Sequence, residues 1–275
     1  MERQTLTHQK RHGAISQSGW SRRFTKALLS AKHRTRTRRI PAGPYAFLGD
    51  GLYFKFKRRD WVMYVMALKP VRSHKAYFLD PVLLEGKESY ERWRQAVATI
   101  PEIIKKRIKA FVSDGFRGSK LIAREHSWIH QRCHFHLLMA LIRRHGRRTY
   151  RTRGAPVREK LLSAVRILLA TTDNRVLRRQ VIKAKRLIRH PLCPPWIRIQ
   201  TVEFFRTLND FRAYLIYPEL NLPTTTNSIE SSGKLIRKAT GTARTSRSVL
   251  LRATVFLRLK KFITCNGKFS TKLCQ

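Results

Sequence analysis

The chain has 275 residues, 42% of them hydrophobic, which is enough for one large domain or two modest ones and excludes a disordered basic tail. Its 59 Lys and Arg against 16 Asp and Glu give a net charge of +43, which favours a phosphate backbone as partner. The longest apolar run, Trp61–Leu68, is shorter than the ~20 residues that cross a bilayer, so no membrane partner is expected.

The first 44 residues are basic and rich in turns, and only Trp20–Leu29 predicts a helix there. Tyr45–Phe56 predicts a strand whose even positions share one face with Asp50. Trp61–Leu68 is apolar on both faces, as is typical of a central strand. A third strand is predicted over Ala76–Leu84, with a break at Asp80-Pro81.

The rest of the chain predicts more helix than strand. Five elements come first, alternating helix and strand: Lys87–Lys109 with an interruption at Pro101, Phe111–Val112, Ser119–Glu125, Trp128–Arg132, and His134 to Arg144. Every long periodic segment from Val157 to His190 then predicts helix, and prolines follow it. Further helices are predicted at about 196–215, 228–239 and 247–263.

This order of elements predicts an α/β fold, a ribonuclease H-like catalytic core with a mixed sheet and flanking helices, interrupted by an all-α insertion. The predicted organisation has five parts: a basic N-terminal segment at 1–44, the first part of the core at 45–149, the α-helical insertion at 150–222, the last part of the core at 223–263, and a tail at 264–275.

Three carboxylates stand out because acids are scarce in this chain. Asp50 lies in Phe-Leu-Gly-Asp-Gly, Asp114 in Phe-Val-Ser-Asp-Gly, and Glu230 in Thr-Thr-Thr-Asn-Ser-Ile-Glu. Acids in a protein that holds a polyanion gain nothing electrostatically unless they hold a cation. Two Mg²⁺ ions about 3.5–4 Å apart, bound through hard oxygen ligands, are the usual means of cleaving a phosphodiester. The three acids therefore predict metal-dependent chemistry on nucleic acid.

Each acid also has a purely structural interpretation. Gly-Asp-Gly and Ser-Asp-Gly are common turns. Asn227 and Glu230 have the spacing of a capping box, and Glu230 precedes Lys234 by one helical turn. The other acids considered, Asp60, Asp80 and Glu125, are more easily assigned to turns or solvated faces.

Taken together, three segments resemble the Mutator-like transposases, including the related bacterial insertion-sequence transposases. These segments are Leu48-Gly-Asp-Gly-Leu-Tyr-Phe-Lys55; Asp114-Gly-Phe-Arg-Gly with Gln131-Arg-Cys-His-Phe-His136; and Thr225-Thr-Asn-Ser-Ile-Glu230, which basic residues follow. The resemblance covers roughly residues 45–262. It implies a ribonuclease H-like fold and a DDE triad of Asp50, Asp114 and Glu230 that binds Mg²⁺ or Mn²⁺.

The same resemblance implies a DNA transposase that cuts transposon ends and joins them to target DNA. Its partners would be terminal inverted repeats and target DNA, with a homo-oligomer on the DNA. The expected location is the bacterial cytoplasm, on the nucleoid when DNA is bound. Relatives carry a DNA-binding region ahead of the first Asp, and only 49 residues precede Asp50 here, so an N-terminally truncated copy is also expected.

Two further groups are candidates for the site. Cys133 and His136 match a family signature near the active site, and with His190 and Cys193 they show the two halves of a zinc spacing, although zinc is not the favoured interpretation. Four basic residues after Glu230 are candidate DNA contacts, or an ordinary solvated basic face: Arg237, Lys238, Arg244 and Arg247.

Two alternatives to a transposase stay open. One is a ribonuclease H-like nuclease or resolvase that uses the same carboxylates without joining strands. The other is a non-catalytic basic nucleic-acid-binding protein, such as a degenerate transposase fragment.

Overall fold

The computed structural model describes residues 17–35, 40–56, 58–143 and 154–265. These residues form a mixed α/β structure, in which helices flank one mixed sheet, as predicted. Residues 1–16 and 36–39 of the basic N-terminal segment, the end of the helix predicted to reach Arg144, and nearly all of the predicted tail lie outside the described residues.

The sheet has seven strands in the described part of the chain. They are β1 (Tyr45–Phe56), β2 (Arg59–Pro70), β3 (Lys75–Phe78), β4 (Val82–Glu85), β5 (Ile108–Ser113), β6 (Ile129–Arg132) and β7 (Phe262–Thr264). Their order is β6-β5-β1-β2-β3-β7, and β4 pairs with β2 beyond the end of β3. The pairs β1–β5 and β5–β6 are parallel, whereas β1–β2, β2–β3, β2–β4 and β3–β7 are antiparallel.

The helices precede, separate and follow these strands. They are α1 (Gln17–Arg34), α2 (Tyr90–Ala98), α3 (Glu102–Lys105), α4 (Ser119–Glu125), α5 (His134–Arg143), α6 (Ala155–Ala170), α7 (Asn174–Arg189), α8 (Pro195–Arg206), α9 (Leu208–Phe211), α10 (Ala213–Ile216), α11 (Asn227–Thr240) and α12 (Ser246–Lys260). A 3₁₀ turn spans Pro218–Leu220.

The two faces of the sheet carry different cores, because side chains alternate along a strand. On β1 the even-numbered Ala46 and Leu48 pack with residues of α11 and α12, and the odd-numbered Tyr45 and Phe47 pack with residues of α2. Strand β2 is buried on both faces, as predicted for a central strand. The face of β1 that carries Asp50 is therefore the face that α11 and α12 cover.

Helices α5 to α9 enclose a third core of their own. It includes Leu138 from α5, Leu161 and Leu168 from α6, Ile188 from α7 and Phe204 from α8. The helices predicted between Val157 and His190 are present as α6 and α7. Asp173 separates them, because its carboxylate accepts hydrogen bonds from two backbone N–H groups at the start of α7.

Three predicted boundaries were wrong. The helix expected over Lys87–Lys109 is interrupted at Pro101, as predicted, but after it only the single turn of α3 is helical, and Ile108 already belongs to β5. The helix expected at 196–215 is divided into α8, α9 and α10. The helix expected at 247–263 ends at Lys260, because Lys261 adopts a positive φ of 67° and the chain continues as β7.

Arg258 ties the first helix to the rest of the molecule. Its guanidinium donates to both carboxylate oxygens of Asp80, at 2.8 and 2.5 Å, and to the Lys32 carbonyl at the end of α1. Among the described helices, none is both long enough and apolar enough to cross a membrane.

A candidate active site on β1, β5 and α11

Asp50 lies within a continuous strand. Strand β1 runs through it, Val65 of β2 stands opposite, and the residue is only 8% exposed. The turn interpretation of Gly-Asp-Gly was therefore wrong. The side chain points to the face that α11 covers, since it shares the even-numbered parity of Leu48 and Leu52.

Asp114 directly follows β5, the strand that pairs with β1. Leu48 of β1 pairs with Val112 of β5, and the strands are parallel. Asp50 and Asp114 each lie two residues beyond that pair, so the two-residue period brings them side by side on the same face, Asp50 within β1 and Asp114 just after the end of β5. Asp114 also shapes a turn, as its local pattern indicated, because its Oδ1 accepts a hydrogen bond from the Phe116 N–H at 3.0 Å.

Helix α11 brings the third acid over this face. Its Ile229 and Ile236 pack into the core that contains Leu48 and Val112. The approach is close: a Cβ added at Gly233 would lie 2.7 Å from Cδ2 of Leu52. Glu230, one residue after Ile229, is thereby held near Asp50.

Glu230 does not cap its helix, and the capping-box interpretation was wrong. The N-cap residue is Thr226, so Asn227 is the first helical residue, and no side chain caps this end. Among the described residues Glu230 also forms no ion pair with Lys234, and its buried Oε2 has no hydrogen-bond partner. A buried carboxylate oxygen without a partner is costly, so it needs an explanation, and a bound cation supplies one.

The electrostatics of Asp50 show that the acids are neighbours. The pKa of Asp50 is raised to about 7, chiefly by burial and also by repulsion from Asp114, Glu230 and Glu88, against the opposing charge of His136. Like charges that face one another in this way favour a proton or a cation between them. The three predicted acids, drawn from three distant segments, thus act on one another at one place.

Glu88 is a fourth carboxylate that the sequence did not reveal. It lies in the loop before α2, accepts hydrogen bonds from Tyr53 Oη and Trp93 Nε1 at 2.7 Å each, and rests against the Gly51 backbone. A Cβ at Gly51 would come within 2.9 Å of Glu88 Oε1. Burial raises the pKa of Glu88 and the charge of Asp114 adds to that rise, whereas the two hydrogen bonds lower the pKa. The glycine after Asp50 therefore makes room for another acid.

Cys133 and His136 lie beside the carboxylates. Burial disfavours the charged form of His136, but its hydrogen bond with Cys133 and the charges of Cys133, Asp114 and Asp50 outweigh burial and raise its pKa to about 9. Burial likewise opposes ionisation of Cys133, and its contacts with His136 and Thr226 hold the pKa of the thiol below its usual range. His136 therefore carries a positive charge opposite the acids.

The same cysteine connects the second and third motifs. Its Sγ accepts a hydrogen bond from the backbone N–H of Thr226 at 3.3 Å, directly before α11. The neighbouring His134 N–H donates to the carbonyl of Thr224 at 2.8 Å. These two bonds join the end of β6 to the segment that leads into Glu230, so they position the third acid relative to the sheet.

Arg132 borders Asp114 from the other side, and the sequence did not single it out. Its Nε would lie 2.4 Å from a Cβ at Gly115, whose φ is 88°. Its guanidinium donates to Thr207 Oγ1 at 2.9 Å and stacks over the Phe211 ring. These contacts attach the Asp114 turn to α8 and α9.

The acids fit a hydrated divalent ion, although they do not form a complete metal cage. No three His, Cys, Asp or Glu side chains in the described ranges stand close enough to form a ready metal cage. Mg²⁺, however, keeps several waters and binds through one or two carboxylates plus substrate phosphates, so a complete protein cage is not required. The unpartnered Glu230 oxygen, the mutual repulsion at Asp50 and the hard oxygen donors fit such an ion.

The second half of the proposed zinc spacing has partners of its own. His190 Nδ1 accepts the Leu192 N–H at 3.1 Å, and the Cys193 thiol lies 3.9 Å from the Pro194 carbonyl. Cys193 belongs to the third core, between helices, whereas Cys133 lies at the end of β6. The two half-motifs therefore lie in different parts of the fold.

The four basic residues after Glu230 differ from one another. Arg237 donates to the Tyr53 carbonyl at 2.7 Å and lies over the Phe54 ring, so it joins α11 to β1. Lys238, Arg244 and Arg247 are exposed. Those three are free to approach a phosphate, whereas Arg237 already has a structural contact.

No protein-family model and no curated protein sequence matches this chain.

Proposed function

We propose that the chain is a DDE-type DNA transposase of the Mutator-like kind, in which Asp50, Asp114 and Glu230 hold Mg²⁺ or Mn²⁺. The observation that carries the proposal is the meeting of these three acids, 64 and 116 residues apart in the chain, on one face of the sheet. In a chain with only 16 acidic residues, such a meeting has no electrostatic benefit without a cation.

The fold supports the ribonuclease H-like assignment. The predicted third strand is present as two short ones, β3 and β4; the antiparallel strands β1 to β4 are then followed by helix, strand, helix and strand, the order that favours this fold. The described residues between the second and third acids contain α6 to α10 and their own core, which supports an all-α insertion at that point.

The residues divide the work as follows. Asp50, Asp114 and Glu230 would hold the ions through their carboxylate oxygens, and the charges of Asp114 and Glu230 both act on Asp50. The chemistry that divalent ions supply when bound is neutralisation of the attacking and leaving oxygens and a lower pKa for the attacking water or hydroxyl. No side-chain general base is then required. Glu88 and His136 set the charge around Asp50.

The partner supported by charge is DNA, because +43 on 275 residues favours a polyanion. Transposition needs two element ends and a target, and we therefore include a homo-oligomer on DNA in the proposal. A nuclease or resolvase with the same carboxylates, and a basic protein that binds DNA without cutting it, are the alternatives that the experiment below separates.

The experiment measures Mg²⁺- and Mn²⁺-dependent cleavage and strand transfer on a plasmid that carries the DNA flanking the gene on both sides. Asp114→Asn keeps the shape of the side chain but removes the charge that binds the ion. We expect it to abolish both reactions while DNA binding is retained. The matched control is Asp60→Asn, which removes one exposed carboxylate at the start of β2 and should leave both reactions unchanged.

Three outcomes discriminate among the functions. Equal cleavage by wild type and Asp114→Asn would refute the catalytic assignment. Cleavage without any joined product would favour the nuclease or resolvase. Salt-sensitive binding by wild type, with neither cleavage nor joining in either metal, would favour the non-catalytic protein.

A further inference from the structure

Helix α7 concentrates positive charge on its exposed side. Its sequence, NRVLRRQVIKAKRLIR, has seven Lys or Arg and no acid in 16 residues, and all seven are exposed. Along one line of the helix, Arg179, Lys183 and Arg186 border a shallow depression together with Ile182 and Leu187.

The other side of α7 fixes this basic face outward. Ala184 and Ile188 are buried, and Leu177, Val181 and Leu187 pack partly buried in the third core, against α6 and α8. Since the apolar stripe is already covered, the helix cannot turn its cations inward. The direction of the charged face is therefore set by packing.

The charges of this face are not neutralised within the described part of the protein. Ion pairs there involve Arg59, Arg94, Lys105, Lys120, His130, Arg132 and Arg258, and none of them involves a residue of α7. Cations three and four residues apart on a helix repel one another, as Arg179 and Lys183 do, which destabilises the helix. An anionic partner would relieve that repulsion.

We propose that the exposed face of α7 binds the phosphodiester backbone of duplex DNA, as a docking surface separate from the carboxylates. The inference rests on the proposed function only in taking DNA as the substrate. A helix of 16 residues is about 24 Å long, and a duplex presents one charge per about 1.7 Å of its axis, so several phosphates face such a helix at once.

Two other anionic partners fit α7 less well. A helix that lies on a membrane presents its apolar face to the lipid, but the apolar face of α7 is packed on α6 and α8. Protein interfaces are depleted in Lys and have an apolar centre, whereas Ile182 is the one large apolar side chain exposed on α7, and cations surround it.

The test compares two triple variants of the full chain. Arg179→Gln, Lys183→Gln and Arg186→Gln together remove three charges from α7. Lys106→Gln, Arg107→Gln and Arg124→Gln together remove two Arg and one Lys from exposed positions at the opposite end of β5 from Asp114. Gln resembles Arg and Lys in helix propensity, so both variants should keep wild-type helix content and melting temperature.

Binding of each protein to a short fluorescent duplex of random sequence is measured by anisotropy from about 50 to 200 mM KCl. We expect the α7 variant to bind at least tenfold more weakly and to lose about 2 to 3 from the magnitude of the slope of log K against log salt, because each lost phosphate contact removes about 0.9. The control variant should change both quantities far less. Equal losses in the two variants would overturn the proposal, since net charge alone would then explain them.

A charge-preserving variant distinguishes the loss of charge from a folding defect. Arg179→Lys with Arg186→Lys keeps the field of the face and should bind like wild type, and weak binding by this folded variant would contradict a backbone contact. Binding of wild type to vesicles that contain phosphatidylserine, lost in the α7 variant whose DNA binding is unchanged, would assign the face to a membrane and overturn the proposal.

The outcomes also separate this inference from the proposed function. If wild type and both triple variants bind and cut DNA alike, the α7 surface is refuted and the transposase is not. If α7 dominates binding while Asp114→Asn cuts as well as wild type, the transposase is refuted and the DNA surface stands.

Discussion

The carboxyl group of Asp50 combines deep burial with three acidic neighbours. Its pKa of about 7 means that the folded protein holds a proton there far more tightly than the unfolded chain, whose Asp pKa is near 4. Between about pH 4 and pH 7 the folded state therefore binds more protons than the unfolded state, and stability falls as the pH rises. Above about pH 7 this contribution is lost.

The prediction is that, in EDTA, the free energy of unfolding of wild type falls between pH 5 and 7.5 by more than that of Asp50→Asn. One pKa unit corresponds to about 1.4 kcal/mol, so a shift of this size gives an upper limit of about 4 kcal/mol. Urea unfolding at several pH values measures it. Mg²⁺ should restore stability to wild type mainly above pH 7, where the carboxylate is ionised, and parallel pH curves for the two proteins would contradict the prediction.

At the scale of single residues, the sequence revealed the acids whose neighbours carry a pattern. Asp50 and Asp114 follow apolar runs, and Glu230 opens a helix, so each could be found. Glu88 and Arg132 could not, because their roles come from contacts across the fold: Glu88 meets Tyr53 and Trp93, and Arg132 lies against Gly115. Glu88 also fell inside the segment predicted as a helix over Lys87–Lys109.

At the scale of elements, the junction between β6 and α11 depends on a single thiol. Cys133→Ala removes the acceptor for the Thr226 N–H and leaves a buried donor without a partner. We expect a loss of about 1–3 kcal/mol in the free energy of unfolding, and weaker Mg²⁺-dependent cleavage because Glu230 is less well positioned. Cys133→Ser retains an acceptor and should be less affected in cleavage. Urea unfolding and the plasmid assay measure both effects.

The control for this prediction is Cys193→Ala, which truncates another buried cysteine, one whose sulfur contacts the Pro194 carbonyl and Arg198 within the helical core and not the segment before α11. It should lose some stability but keep wild-type cleavage. If the two alanine variants cleave equally well, Cys133 does not position the third acid.

The strands that carry the site were predictable, and the sheet edge was not. The local pattern predicts a strand over Tyr45–Phe56 whose even positions share one face, and burial of β2 on both faces, and both predictions were confirmed. Strand β7 has only three residues and exists because Phe262 pairs with Tyr77 of β3, far away in the chain. A helix that continues to 263 looks equally good until that partner is known.

At the scale of the whole molecule, +43 on 275 residues means that the folded chain repels itself. Salt screens this repulsion, with a Debye length of about 10 Å at 0.1 M. We predict that the melting temperature in the absence of DNA rises by several degrees between about 0.05 and 0.5 M NaCl, whereas DNA binding weakens over the same range. Scanning fluorimetry and anisotropy on the same samples measure the two opposite trends.

Potassium glutamate at the same ionic strength controls for specific binding of chloride. An equal rise in both salts attributes the effect to screening. A melting temperature that is flat or falls with salt would contradict it, and would mean that the ion pairs at Asp80 and Asp210 outweigh the repulsion.

The distribution of the acids along the chain has a consequence for synthesis. Asp50 and Asp114 emerge from the ribosome first, and another 116 residues must be made before Glu230 appears. At about 5–20 residues per second, that interval is roughly 6 to 23 s. A nascent chain during this time already carries much of the charge that attracts DNA but lacks the third carboxylate. The proposed cleavage therefore waits for α11 to dock on β1, and under the proposed function a translation product that ends before Glu230 would lack the carboxylate that cleavage requires.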